Sequence, residues 1–268
     1  LMVSGSDVHG TPITVRADAE GVTPFDIVDR YHNEFLEQWE ILGISWDLYT
    51  TTGTENHAQV TQEMFLKQLE NGHIDKRVTA QFYDPQAKRF LPDRYIEGTC
   101  PNCGYENARG DQCENCTKQL DPTDLINPRS AVSGSTDLEV RQTRHLYLRQ
   151  SELRDRLSDW IESKKDWPIL TTSIAKKWLH DGDGLQDRGI TRDLHWGVPV
   201  KKGTQDWPGM DGKVFYVWFD APIEYIAATQ EWAEDAAQPD AWKPLWRTDE
   251  GADDTEYVQF MGKDNVAF

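Results

Sequence analysis

All four cysteines of the 268-residue chain fall within seventeen residues, at Cys100, Cys103, Cys113 and Cys116. The spacing C-x2-C-x9-C-x2-C is a strong constraint on the fold. Two C-x-x-C pairs can close a tetrahedral thiolate shell around one Zn²⁺, which forces two short backbone knuckles to face each other. Thiolates are soft ligands and suit Zn²⁺ better than Ca²⁺ or Mg²⁺. Gly104 and Gly110 are expected to allow the tight turns, and Asn102 and Asn115 to tolerate left-handed backbone within each knuckle. Two disulfides would require an oxidising compartment, and no secretory leader is expected here. A redox C-x-x-C would stand alone at the start of a helix. Four thiolates leave no open position for water, so the metal is read as structural.

Hydrophobic residues make up 38% of the chain and aromatic residues 11%, enough to build a core. No apolar run approaches the ~18 residues of a membrane span, and a cytoplasmic location without a membrane partner is expected. Acidic residues number 46 against 28 basic ones, a formal net charge of −18. That balance argues against a non-specific nucleic-acid binder and against DNA as a partner. An acidic excess spread over a chain that keeps its core resembles salt adaptation, as in a halophile. In molar salt the Debye length is only ~3 Å, so the repulsion costs little.

The first residues, Leu1-Met2-Val3, read as the end of a strand, followed by a polar turn through Gly10. Thr11-Pro12 opens one helix. Thr23-Pro24 opens a second to about Leu42, with Phe25, Val28, Phe35, Trp39 and Leu42 on one apolar face. Ile44–Tyr49 is a strand candidate, and a helix runs from about Asn56 to Glu70. The rhythm then changes. Residues 78–96 read as a hairpin, the cysteines follow, residues 137–148 are extended, and helices lie near 151–163 and 170–180. Alternation resumes with a strand at Val214–Phe219, a helix from Ala221-Pro222 to about Trp232, and a strand at Tyr257–Met261. The pattern predicts an α/β chain in which a parallel sheet is interrupted by a mixed insertion.

In open α/β sheets the ligand site lies beyond the carboxyl ends of the strands. Three predicted strand ends carry polar groups: Asp7-Val8-His9-Gly10, Trp218-Phe219-Asp220-Ala221-Pro222 and Gly262-Lys263-Asp264. In such a cleft Asp7 could hold an ammonium group. Trp218 and Tyr225 could wall an apolar pocket, and Lys263 and Asp264 could address phosphate and ribose. His9 and His195 are isolated histidines, a pattern that usually reflects structural or surface roles. Hydrolase elbow, Walker A, G-x-G-x-x-G and H-E-x-x-H motifs are absent from the sequence.

The chain as a whole resembles the methionyl-tRNA synthetase family of class I aminoacyl-tRNA synthetases. The resemblance is carried by Asp7-Val8-His9-Gly10-Thr11-Pro12-Ile13, Leu91-Pro92-Asp93-Arg94, the four-cysteine knuckle, Ala131-Val132-Ser133-Gly134-Ser135, Thr191-Arg192-Asp193-Leu194, Tyr216-Val217-Trp218-Phe219-Asp220-Ala221-Pro222 with Tyr225, and Gly262-Lys263-Asp264. It implies a Rossmann-like parallel sheet, split by a mixed α/β connective insertion carrying the zinc knuckle. Residues 1–70 and 191–268 would form the catalytic domain and residues 71–190 the insertion, with the knuckle at about 95–120. It implies ligation of methionine to tRNA with ATP and Mg²⁺. Asp7 would take the ammonium, and Trp218, Ala221, Pro222 and Tyr225 would wall the thioether pocket, a setting that suits a polarizable sulfur. Arg192 would steady the ATP phosphates, where positive charge offsets charge developing in the transition state. Gly262 and Asp264 would lie near the adenosine, and Asp93 and Arg94 would link the insertion to the site. The family's H-I-G-H-type and K-M-S-K-S-type motifs are both absent, so the chain is expected to be a central piece of the catalytic region, inactive alone. The alternatives are another class I synthetase of the leucine, isoleucine, valine or cysteine type, and a non-catalytic zinc-containing module that binds tRNA or protein.

Overall fold

The computed structural model describes residues 1–116, 118, 120–182 and 184–267, without the side chains of Asp264 and Ala267. In chain order the main elements are β1 (Val3–Ser6), α1 (Thr11–Glu20), α2 (Pro24–Ile41), β2 (Leu48–Thr51), α3 (Glu55–Glu70), β3 (Ile74–Asp84), β4 (Arg89–Phe90), β5 (Ile96–Thr99), β6 (Ala108–Arg109), β7 (Ile126–Ser130), β8 (Glu139–Leu148), α4 (Arg154–Ser163) and α5 (Ile169–His180). Then follow β9 (Arg188–Gly189), β10 (Thr191–Arg192), β11 (Lys201–Lys202), β12 (Gln205–Asp206), β13 (Val214–Phe215), α6 (Val217–Asp220), α7 (Glu224–Asp235) and α8 (Lys243–Trp246).

Capping chemistry sets the N-terminal helices where the sequence predicts them. In α2, Thr23 and Asp26 form a reciprocal capping box: Asp26 N–H donates to Thr23 Oγ1 at 3.3 Å, and Thr23 N–H donates to Asp26 Oδ2 at 2.8 Å. Gly21 ends α1 at φ +68°. Two expectations for this region fail. The predicted apolar face of α2 is largely open, with Phe25, Phe35 and Leu42 exposed and Ile27 the buried residue. Helical spacing marks a face but not what covers it. The strand begins at Leu48, because Ile44 N–H donates to Trp39 O at 2.9 Å and the 42–44 segment closes the end of α2.

The fold is mixed α/β. β1 and β2 are parallel, with Val3 opposite Leu48 and Ser6 opposite Thr51. The other ladders among the described residues are antiparallel. One sheet has the order β4-β3-β8-β9, with β3 and β8 paired from Ile74↔Leu148 to Tyr83↔Glu139. A second, β6-β5-β7, abuts the cysteines. β10 pairs with β13.

Hydrophobic clusters fuse these pieces. Phe65 of α3, Leu146 of β8, and Ile190, Val198 and Phe215 share one core. Around the knuckle, Leu91, Tyr95, Ile96, Cys100, Ala108 and Cys113 pack with Leu194 and Val214 from the later segment.

Both C-terminal strand predictions are also corrected. The ladder at Val214 stops at Phe215, and residues 217–220 turn helical, with the N–H of Ala221 reaching Val217 O. A short apolar run does not distinguish strand from helix, and Pro222 in the first turn of the following 3-10 segment favours the latter. Residues 257–261 form no strand. Tyr257, Val258, Phe260 and Met261 are exposed, and among the described residues no neighbouring strand completes a ladder with them.

Candidate active site

A cleft of about 1040 Å³ opens beyond the carboxyl end of β1 and is lined by Asp7, His9, Asp93, Arg192, Trp218 and Lys263, among others. Four of these were expected at the ends of three distant strands. They meet although only the first of the three lies at a regular strand end. Lys263 arrives on a 3-10 turn, Lys263–Ala267, that packs against α5.

Arg192 is fixed from three sides. Its Nε donates to Asp93 Oδ2 at 2.9 Å and Oδ1 at 3.1 Å, and its Nη1 donates to the carbonyls of Gly189 and Thr191. The guanidinium carbon lies 3.6 Å from the centroid of Tyr216. Burial opposes its charge, but Asp93 and Tyr216 outweigh it and hold the guanidinium above its ordinary range. Asp93 itself sits at φ +50°, a left-handed conformation that aspartate tolerates better than most residues.

Asp7 is solvent-accessible at the cleft, yet closely walled by protein. Burial in the cleft, followed by the charge of Asp220, pushes its carboxyl up to about 7. Behind it lies a buried array that the sequence reading passed over. His9 Nδ1 is 2.5 Å from Asp220 Oδ2; His57 Nε2 is 3.3 Å from the same oxygen, and His57 Nδ1 is 2.9 Å from Glu224 Oε2. Burial alone would lower the His57 pKa, but its contacts with Asp220 and Glu224 lift it to about 9. The available signal was two carboxylates four residues apart inside an apolar stretch, Asp220 and Glu224, since buried acids are rare unless paired.

The remaining predicted positions fall elsewhere. Ala221 is half-buried and Pro222 exposed at the 3-10 turn after α6. Tyr225 starts α7 and meets Tyr257 edge-on at 6.4 Å. None of these three lines the cleft, nor does Gly262, which is exposed. The side chain of Asp264 lies outside the described residues. His195 is exposed, whereas Arg94 does line the cleft beside Asp93 and reaches Asp111 at 4.0 Å.

The four cysteines converge, with their sulfurs within 4.8 Å of one another. Cys100 and Cys116 Sγ are 3.9 Å apart, and Cys103 and Cys113 Sγ 3.6 Å. A tetrahedral ion ~2.3 Å from each sulfur separates the sulfurs by roughly 3.8 Å, so the cluster fits a metal without rearrangement. Asn102 and Asn115 do not take left-handed backbone. Their amides instead point at Cys116 and Cys103 Sγ, at 3.4 and 3.6 Å. Donation from the Lys118 backbone and from Asn102 brings the Cys116 thiol down to about 6. Gly104 has φ +75°, as expected of a knuckle, whereas Gly110 is needed for space, since a Cβ there would lie 2.5 Å from Ile96 Cγ2. His9, His57 and Asp220 also offer three ligand atoms, but at 2.5 Å the His9–Asp220 separation is that of a direct hydrogen bond.

A mixed α/β fold with this knuckle and cleft defines a class: residues 1–268 match the family described as tRNA synthetases class I (M), and the chain belongs to that family. It is 63% identical over 269 residues to the methionine–tRNA ligase of Dinoroseobacter shibae and 62% identical to that of Ruegeria pomeroyi. Both alignments cover all of this chain and 47% of the relative, so the chain spans about half the length of the curated relatives it matches. Among solved structures, Mycobacterium tuberculosis methionyl-tRNA synthetase bound by methionyl-adenylate shares the fold. The TM-score is 0.59 at 20% identity, covering 91% of this chain and 42% of that one. Among the described residues no helix is long and apolar enough to cross a membrane.

Proposed function

We propose that this chain is the central part of the catalytic region of a methionine–tRNA ligase. In that reaction the carboxylate of methionine displaces pyrophosphate from Mg²⁺-bound ATP, and the methionyl group of the adenylate then passes to tRNA with release of AMP. The convergence of Asp7, Trp218, Arg192 and Lys263 on one cleft, from three distant parts of the chain, supports this reading most directly. Asp7 takes the α-ammonium. Trp218 forms the wall for the thioether at the cleft, and Ala221, Pro222 and Tyr225, which follow it in the chain, are assigned to the same pocket. Arg192, with its plane set by Asp93 and Tyr216, offsets phosphate charge as it develops. Gly262 and Asp264 address the adenosine. Residues 1–70 and 191–268 serve as the catalytic domain and residues 71–190 as the insertion. Zn²⁺ held by Cys100, Cys103, Cys113 and Cys116 would supply folding energy to the knuckle and no step of the reaction.

The test is ATP–pyrophosphate exchange by the full-length enzyme carrying this segment. Exchange should depend on methionine, and Asp7→Ala should raise KM for methionine at least tenfold. Preference for leucine, isoleucine, valine or cysteine would overturn the assignment. The isolated 268-residue chain, whose sequence holds neither of the two nucleotide-binding motifs of the family, should show no exchange.

A further inference from the structure

Two carboxylates and a histidine buried together are an expensive way to fill a core, because charges taken out of water recover their desolvation cost only with full pairing. The array behind the cleft is not fully paired. Asp220 and His57 have fully buried side chains, and Asp220 Oδ1 and Glu224 Oε1 have no hydrogen-bond partner among the described residues. The backbone of β1 makes room for the array, since a Cβ at Gly5 would collide with Glu224 Oε1. Stability alone therefore explains these residues poorly, whereas a requirement for fixed geometry explains them well.

Two pieces of the cleft need such fixing. Asp7 lies just past the end of β1, beyond the ladder that holds Val3–Ser6 against β2. Trp218 sits on α6, a single turn of helix. His9 connects the two. It follows Asp7 by two residues in the same turn beyond β1, and its ring donates to Asp220, two residues after Trp218. His57 then braces Asp220 from behind, itself held by Glu224 at the start of α7 and by Thr61 Oγ1 at 3.3 Å.

We propose that His9, Asp220, His57 and Glu224 act as a positioning array: through His9 they lock the Asp7 carboxylate relative to Trp218, so that the ammonium and the side chain of one amino acid are gripped together. The inference rests on the ammonium-binding role of Asp7 given above. None of the four needs to touch the substrate, and their effect travels through Asp7.

The experiment uses the full-length enzyme at pH 8, where Asp7 is mostly ionised, and measures methionine-dependent ATP–pyrophosphate exchange. His9→Ala should raise KM for methionine about tenfold or more and leave KM for ATP within twofold. His9→Asn, whose amide can replace the Nδ1 donor, should recover most of the loss. In an Asp7→Ala background, His9→Ala should add less than twofold. Inhibition by 4-(methylthio)butanoate, which lacks the ammonium, should change less than twofold in His9→Ala. Asp220→Asn should follow the same pattern if it folds; should it not, the His9 series decides alone. Equal losses for methionine and ATP, no rescue by asparagine, or additivity with Asp7→Ala would overturn the proposal. Failure of the Asp7 reading itself is distinct: it would appear as an unchanged methionine KM in Asp7→Ala alone.

Discussion

Removing the carboxylate that holds Arg192 separates a pinned guanidinium from an ordinary surface arginine. Asp93 and Arg192 have side chains only 10% and 17% exposed, and they meet through two contacts at 2.9 and 3.1 Å. Breaking a buried pair by deleting one partner costs about 3–5 kcal/mol, mostly from the charge left behind. Here the stranded cation keeps the carbonyls of Gly189 and Thr191 and the face of Tyr216, and it borders an open cleft. The expected cost of Asp93→Ala therefore falls at or just below the bottom of that range, about 2–3 kcal/mol. Asp93→Asn keeps one acceptor and a residue that tolerates φ +50°, and should cost about 1–2 kcal/mol. The decisive variant is the double one. Asp93→Ala with Arg192→Met removes the uncompensated charge and should be less destabilised than Asp93→Ala alone. Urea unfolding followed by tryptophan fluorescence reads all three, and the single alanine variant should lower the midpoint by roughly 1 M at unchanged slope. A double variant as unstable as the single one, or an alanine variant indistinguishable from the parent, would refute the account of a buried, paired Arg192.

Two further outcomes follow from the site. Chelation of the zinc-loaded protein should raise amide exchange in residues 95–120 before anywhere else, with the Gly104 and Cys113 N–H groups among the first to lose protection; their acceptors, Cys100 O and Lys118 O, lie within the knuckles. Unchanged exchange there after metal loss would sink the structural-metal reading. On the ammonium-binding role proposed for Asp7, the methionine affinity of the full-length enzyme should rise as pH rises from 6 to 8 and then level off. The sign follows from Asp7: its carboxyl is pushed up to about 7 by burial and by Asp220, so it carries a proton below that pH and can pair with an ammonium only above it. The same shift makes the ligand-free folded protein lose stability as pH rises from about 4 towards 7, because the native carboxyl holds a proton that the unfolded one has released. Calorimetric titration against pH checks the binding arm, and a flat profile would show that Asp7 is ionised throughout.

Residue type and spacing by themselves determined the local features. The C-x2-C-x9-C-x2-C run announced a tetrahedral cluster, Thr23-Pro24 announced a helix start, and Gly104 announced a tight turn, because each follows from bonding within a few residues. The family motifs singled out Asp7, Arg192 and Trp218, which the structure places on one cleft. What lay beyond the sequence were features created by partners distant along the chain. Whether residues 214–219 and 257–261 became strands depended on neighbours to complete a ladder, and whether the apolar face of α2 was covered depended on what packed there. The clearest case is the array of His9, His57, Asp220 and Glu224. Its members are up to 215 residues apart, and beyond the spacing of Asp220 and Glu224 nothing local marks them as a unit. Only the tertiary fold brought the two imidazoles to the carboxylate of Asp220 and excluded water from it, and that exclusion makes a few ångströms of hydrogen-bond geometry matter to the cleft in front.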